Sequence, residues 1–400
     1  MLVVPDAPRL AVLLAVTSSQ GFCAPDCSGR EGEMQYRNFG KTGLRISALG
    51  FGAMRLPMKG EHVDEDKAIE TIHRAFELGV NYMDSAYFYN NHESEVVVGK
   101  ALKGWRDKII VSTKNPDGSV DAATWRKVLE EQLRKLDVDR IDVYHFHGLN
   151  WSEFEEHITR PGGAMEAARK AQDEGLFTYL SFSFHDSPEA LVKLVDTGEF
   201  TSVTCQYNLL DRANEPGIAR AHEKGMGVLI MGPVGGGRLG APSPEIQKLL
   251  PGGSKSTPEI ALRFVLSNPN VSCALSGMSD VKMVDENCAT ASREEPLSAV
   301  ERAAVLAQLE EKRKLAELYC TGSEYCMPCP HGVDIPKNFS AMNAYRVYGL
   351  KDHAARRYRE LAEKKASAAF CEECGQCEPK CPQKIPIIDQ LKETEKTLGS

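Results

Sequence analysis

The sequence contains no apolar run approaching the ~20 residues that a membrane-spanning helix requires, so no membrane span is expected. It has no excess of basic charge either. Lys and Arg number 48 against 56 Asp and Glu, a formal net charge of −8, so nucleic acid is not expected as a partner, because its phosphates demand a basic surface. The turn after the first β-rich run reads GFGAMRLP and lacks the G-x-G-x-x-G of a doubly wound dinucleotide-binding sheet. Near the start there is no twin-arginine pair, the usual export route for a protein already loaded with a cluster. LAVLLAV at 10–16 resembles the apolar part of a signal peptide, but Asp6 precedes it and Arg9 is the one basic residue there. Residues 1–33, with Cys23 and Cys27, are therefore read as a disordered leader or a mis-called start, and the protein as cytoplasmic.

From Met34 to about residue 295 short β-rich runs alternate with amphipathic helices. YRNFGKTGLRIS reads as a hairpin. The strands expected after it are ALGFGAMRL, NYMDSA, KIIVSTK, IDVYHFH, TYLSFSF, SVTCQYN, GVLIMGP and CALSGM. Helical patterns such as DKAIETIHRAFELG, TWRKVLEEQLRKLD, PEALVKLVDTGE and PEIALRFVLSN separate them. Eight β/α alternations over this length predict an α/β chain, a (β/α)8 TIM barrel spanning 34–295. Residues 296–318 predict a charged helix leading off it, and 319–400 a small, mostly α-helical domain. Within that domain, NAYRVYGLKDHAARRYRELAEKKA reads as helical with a basic face: a solvated surface, or a docking patch for an acidic electron carrier.

Catalytic groups of such barrels sit at the C-terminal ends of strands. Those ends offer Asp84 and Tyr89 after NYMDSAYFY, Lys114 closing IIVSTK, and His147 closing IDVYHFH. A tyrosine is a weak acid near neutrality, and an adjacent ammonium stabilises its phenolate. Asp84 would hold Lys114 charged, and a neutral His147 would orient a carbonyl oxygen beside the Tyr89 hydroxyl. The set suits protonation of an oxygen while hydride reaches its carbon. Taken singly the residues are ambiguous, since a strand-end lysine or histidine is often structural and Asp84 could cap a helix. Tyr87 and His145 are close rivals of Tyr89 and His147.

DSAYFY, STK and DVYHFH, at these separations, resemble the Asp, Tyr, Lys and His tetrad of the aldo-keto reductases. NHESEVVVGKALKG, CQYNLLDR and GPVGGGRLG resemble, in order, further segments of the same family, the last being its loop over the cofactor pyrophosphate. The resemblance implies a TIM barrel that binds NADP or NAD without a Rossmann fold. It implies that Gly52, Ala53 and Met54 line the cofactor, that Ser183 and Gln206 hold the nicotinamide carboxamide, that Gly232 belongs to the pyrophosphate loop, and that Glu286 and Asn287 lie near the adenine. The family's spacing from Asp84 and Asp142 selects Tyr89 and His147. Departures are Phe184 in place of an asparagine, Met231 where an aromatic stacks on nicotinamide, and Met283 where an arginine reads a 2′-phosphate; Lys282, Arg238 or Lys255 are substitutes for the last. LSFSFHD and CTGSEYCMPCP resemble the subgroup with a C-terminal ferredoxin-like extension.

Seven of the 12 cysteines fall between residues 320 and 381. CEECGQCEPKCP, residues 371–382, is a complete C-x2-C-x2-C-x3-C-P run, the bacterial ferredoxin pattern in which the fourth cysteine serves the other cluster. Zinc is the alternative, although its modules more often show two C-x2-C pairs. In the crossed scheme Cys371, Cys374 and Cys377 hold one 4Fe-4S cluster, completed by Cys329. Cys320, Cys326 and Cys381 hold an atypical second, with Ser323 where a fourth thiolate is missing; alternatively a single cluster assembles. GVDIP and KIPIID are expected as short strands. Cys205, Cys273 and Cys288 read as small buried apolar residues.

The leading reading is an NAD(P)-dependent oxidoreductase that interconverts a carbonyl and an alcohol on a small-molecule substrate. Its iron–sulfur domain is structural, redox-sensing or a route to a protein electron carrier. The second reading is a nicotinamide-redox sensor or electron-transfer protein whose barrel binds cofactor without turnover. The third is an iron–sulfur-stabilised scaffold.

Overall fold

A computed structural model describes residues 32–116, 121–320 and 322–399. The leader and its two cysteines lie almost wholly outside the described residues. Eight parallel strands close into a barrel: β1 Leu49–Gly52, β2 Tyr82–Asp84, β3 Ile110–Asn115, β4 Ile141–Leu149, β5 Phe177–Phe184, β6 Ser202–Gln206, β7 Gly227–Met231 and β8 Cys273–Ser276. Each pairs with its neighbours in chain order, and β8 closes on β1 through Ala274, Leu275 and Ser276. All eight coincide with runs expected from the sequence.

Helices α1 Glu65–Glu77, α2 Ser94–Ala101, α3 Ala122–Leu136, α4 Ala164–Asp173, α5 Pro188–Asp196, α6 Glu215–Glu223, α7 Thr257–Leu266 and α8 Val281–Ala291 surround the barrel. Their starts follow local chemistry. The side chains of Asp121, Ser187, Ser256 and Asp280 each accept an N–H of the first turn, and Pro188 and Pro258 sit where a missing N–H costs nothing.

The period-two geometry of strands sorts the barrel residues. One parity (Met83, Val111, Tyr144, Phe182, Phe184) points outward into the helical layer and joins the main core. The other parity points inward and changes character along the axis. Tyr82, Ile110, Val143, Leu229 and Cys273 fill the lower lumen with Phe39 and Ile46. These last two come from the antiparallel hairpin Tyr36–Asn38/Arg45–Ser47, which plugs the N-terminal end. One or two pleats higher stand Asp84, Ser112, Lys114, His145, Ser181 and Ser183, all buried. The lumen is so narrow that a Cβ at Gly50 would lie 2.9 Å from the Cys273 sulfur.

Helix α9, Ala299–Tyr319, does not simply lead off the barrel as the sequence suggested. Ser298 and Glu301 form a capping box at its start, and Leu297, Val305 and Leu309 bury into the barrel's own core. Beyond it, α10 Ile335–Arg346, α11 Lys351–Glu363 and α12 Ile387–Leu398 build a second, smaller core with Phe339, Tyr358 and Leu391 buried in it. The segment between the cysteine runs is two helices, because Gly349 turns the chain with φ of +63°. GVDIP and KIPIID are not strands. Ile335 and Ile387 open helices, with Pro336 in the first turn of α10 and the Asp334 carboxylate capping Lys337 N–H at 3.2 Å. The two domains touch through the α10–α11 turn: Ser243 Oγ donates to Tyr348 O at 2.7 Å, and Lys312 Nζ to Val347 O at 2.9 Å.

Candidate active site and cysteine cavities

At the C-terminal mouth of the barrel, β2, β3 and β4 place four polar side chains together by register, since Asp84 pairs with Ser112 and Lys114 with His145. Lys114 Nζ donates to Asp84 Oδ2 and to Ser85 O, both at 2.6 Å. Both charged residues are almost completely buried, at 2% and 4% exposure. Burial works against the Lys114 ammonium, but Asp84 and then Tyr89 outweigh it, and its pKa moves up. Ser112 Oγ donates to Asp84 Oδ1 at 3.2 Å and lies 3.0 Å from His145 Nε2. A hydroxyl has one proton, so His145 carries its own on Nε2.

Tyr89, on the loop after β2, lies with its ring centroid 5.0 Å from Lys114 Nζ. The His147 ring stands edge-on to it at 6.0 Å between centroids. Burial raises the Tyr89 hydroxyl above the ordinary phenol value; Lys114 pulls it down, as the sequence suggested, without overcoming burial. His147 is pushed to about 3, chiefly by burial and further by Lys114 and His185. It is therefore neutral at any physiological pH. Its Nδ1 is buried with no protein partner. The arrangement provides a protonated phenol, a fixed ammonium behind it, and a neutral imidazole beside it.

The rivals point elsewhere. Tyr87 donates to Glu131 Oε2 at 3.1 Å and lies under Lys135 at 4.2 Å, outside the lumen. His145 is fully buried beneath the mouth. Two further features were not singled out from the sequence. His185 follows the inward parity of Ser181 and Ser183 just beyond the end of β5; it is exposed, with its pKa lowered by desolvation. Glu95 and Gln132 lie behind β3. Gln132 Nε2 donates to Glu95 Oε1 at 2.6 Å and to Lys114 O at 3.0 Å, and Thr113 Oγ1 donates to Glu95 Oε1 at 2.6 Å. This buried network fixes the strand that carries the lysine.

The residues assigned to a nicotinamide nucleotide ring the same mouth. Gly52 ends β1, Ala53 is buried and Met54 is exposed. The Ser183 hydroxyl accepts Gly148 N–H at 2.9 Å, which leaves its own proton to donate. Gln206 lies against Gly232, where φ is +62° and a Cβ would fall 2.6 Å from Gln206 Oε1, so a side chain there is strained and displaces the amide. Arg55 Nη2 donates to Gly236 O at 3.0 Å, tying the β1 loop to the glycine loop after β7. Asn287 Nδ2 donates to Ser276 Oγ at 3.3 Å, and Glu286 lies 3.8 Å from Lys282 Nζ. Met283 is largely exposed on the first turn of α8, and Phe184 faces outward into the core. A polar rim, a side-chain-free loop and unspent donors fit a dinucleotide.

In the smaller domain the cysteines line two adjacent cavities. One is bordered by Cys326, Cys329, Cys371, Cys374 and Cys377, the other by Cys320, Ser323, Cys326 and Cys381. Among the described residues no three His, Cys, Asp or Glu side chains converge on a single-ion site. Thiolates spread around a cavity fit a polynuclear centre, whose irons lie apart. Cys205, Cys273 and Cys288 are buried.

Residues 48–307 match the model of the Aldo/keto reductase family, and residues 319–386 that of a 4Fe-4S dicluster domain. L-galactose dehydrogenase of Arabidopsis thaliana is 29% identical over 291 residues, 66% of this chain and 90% of the plant protein. The uncharacterized oxidoreductase YqkF of Bacillus subtilis is 27% identical, covering 65% and 92%. Among solved structures, the holo form of aldo-keto reductase AKR11C1 from Bacillus halodurans is similar with a TM-score of 0.60 and 31% identity, over 69% of this chain and 96% of that one. Among the described residues no helix is long and apolar enough to cross a membrane. The chain belongs to the aldo/keto reductase family, as an oxidoreductase barrel followed by a 4Fe-4S dicluster domain.

Proposed function

We propose that the barrel interconverts a small-molecule carbonyl and its alcohol, with NADP or NAD as the hydride partner and Tyr89 as the proton donor. The observation that carries this reading is the buried Lys114–Asp84 pair beside the Tyr89 ring. When bound at the mouth, a nicotinamide nucleotide would supply or accept the hydride; Gly52, Ala53, Met54, Ser183, Gln206, Gly232, Glu286 and Asn287 would hold it. Tyr89 keeps its proton near neutrality because burial raises its pKa. Negative charge growing on a substrate oxygen draws that proton across, and Lys114 stabilises the phenolate left behind. Asp84 keeps Lys114 charged and in place. His147, neutral, donates to the substrate oxygen and orients it without competing as an acid.

In the smaller domain Cys329, Cys371, Cys374 and Cys377 would hold one 4Fe-4S cluster, and Cys320, Cys326 and Cys381 a second with Ser323 at the remaining iron. Their grouping around two cavities supports the crossed scheme. The clusters would carry single electrons to a protein carrier in the cytoplasm. Anaerobically purified protein should quench NADPH or NADH fluorescence and oxidise it in the presence of a carbonyl from an aldehyde, ketone and sugar panel. Tight binding with no turnover across that panel would favour the redox-sensor reading.

A further inference from the structure

Between the glycine loop of the barrel and the second domain runs a cleft of about 310 Å³. Arg238 and Leu210 border it from the barrel; Asn343, His353 and Arg357 border it from α10 and α11; Cys320 lies at its edge. Arg238 directly follows Gly235–Gly237 and spends its Nε–H on Gly235 O at 3.3 Å. Arg238 and His353 also line a neighbouring recess with Lys351 and Asp352.

Asp352 apart, the charge lining this boundary is positive. Arg356 Nη2 lies 3.2 Å from His353 Nδ1. An arginine can only donate, so Nδ1 accepts and the ring proton sits on Nε2. Burial, then Arg238, Arg356 and Arg357, push His353 down to about 4, with Glu360 opposing them. Glu360 lies 3.3 Å from Arg357 on an exposed face, where such a pair is worth little. Elsewhere this domain boundary pairs its cation: Lys312 meets Val347 O at 2.9 Å and Glu245 at 3.4 Å. Bringing Arg238 from one domain toward Arg357 of the other, with a neutral His353 between the two domains' arginines, costs free energy unless an anion enters. Arginine forks and an imidazole N–H match the geometry of a phosphate group.

We propose that this interdomain cleft is a phosphate-binding site, built by Arg238 of the barrel with His353 and Arg357 of the iron–sulfur domain. The cluster domain then contributes directly to ligand binding at the edge of the glycine loop, and the α8 position held by Met283 is not needed for that charge. The ligand chemistry is a phosphate or pyrophosphate anion, brought either by a nicotinamide nucleotide or by a separate phosphorylated molecule.

The test is calorimetric titration of the anaerobic, cluster-loaded full chain with inorganic pyrophosphate. One site per chain is expected, weakened at least about tenfold in Arg238→Ala and in Arg357→Ala, since a charge-assisted hydrogen bond exceeds 1.4 kcal/mol. Arg357→Lys should restore part of the affinity, while Lys364→Ala, at the far end of α11, should leave it unchanged. Repeating the titration with saturating NADPH distinguishes the sources. Competition identifies the dinucleotide's own phosphates, and undiminished binding identifies a separate phosphoanion. Absence of pyrophosphate binding, or binding unaltered by both alanine variants, overturns the proposal. Because the probe is pyrophosphate, failure of carbonyl turnover would leave this result standing.

Discussion

The mouth of the barrel and the cysteine cavities hold their functional groups in opposite ways. At the barrel mouth Asp84, Lys114 and His145 come from strands paired on both sides, and Tyr89 follows on the loop after β2. Lys114 is held by Asp84 and Ser85 O, and its strand is braced by Glu95 and Gln132. In the smaller domain the cysteines sit on loops between three helices, packed against a core of modest size. Small cores of this kind are commonly completed by a metal. The contrast predicts that the barrel site keeps its geometry without a cofactor, whereas the cluster sites depend on the clusters they would hold.

Four perturbations sharpen that comparison. Tyr89→Phe deletes the proposed proton donor and leaves the ring in place. Turnover of a carbonyl substrate should fall by roughly 10²–10⁴ with nucleotide affinity kept, as single-turnover kinetics and fluorescence titration will show. Lys114→Met strands the buried Asp84 carboxyl. The barrel should lose about 3–5 kcal/mol in denaturant unfolding, and Asp84 should take up a proton. Ser323→Cys would supply a fourth thiolate to the cavity of Cys320, Cys326 and Cys381, where the second cluster is proposed. One EPR signal should shift while that of the other centre stays, and barrel kinetics should not move. The smallest effect is a null one. With His147 at about 3 and Tyr89 above the phenol value, neither changes protonation between about pH 6 and 9, so carbonyl reduction should be flat there and fall only as Tyr89 deprotonates at higher pH. A step near the ordinary histidine value would show that His147 works charged.

Much of the barrel was legible because two periodicities repeat along it. Alternation within IIVSTK, DVYHFH and LSFSF assigns inward and outward faces without any coordinates, and the polar ends of the inward columns are the candidate site. His185 was available from the same alternation, one pleat beyond Ser183. The burial of Tyr89 was not legible: sequence gives the neighbouring ammonium, but the environment that outweighs it is made by residues distant in the chain. GVDIP and KIPIID mislead because β-branched residues favour strands, while Pro336 serves equally well in a first helical turn and Pro386 directly before one. The interior placement of α9 depends on Val305 and Leu309 meeting a barrel wall assembled elsewhere. The interdomain cleft joins Arg238 to residues more than a hundred positions away, and no local pattern announces it.

Hydrogen exchange read by mass spectrometry on iron-loaded and iron-depleted full chain tests the contrast most directly. Iron removal should leave protection of β1–β8 within experimental error while protection across residues 322–399 collapses. Equal protection of the smaller domain with and without iron, or loss in the barrel strands first, would contradict it.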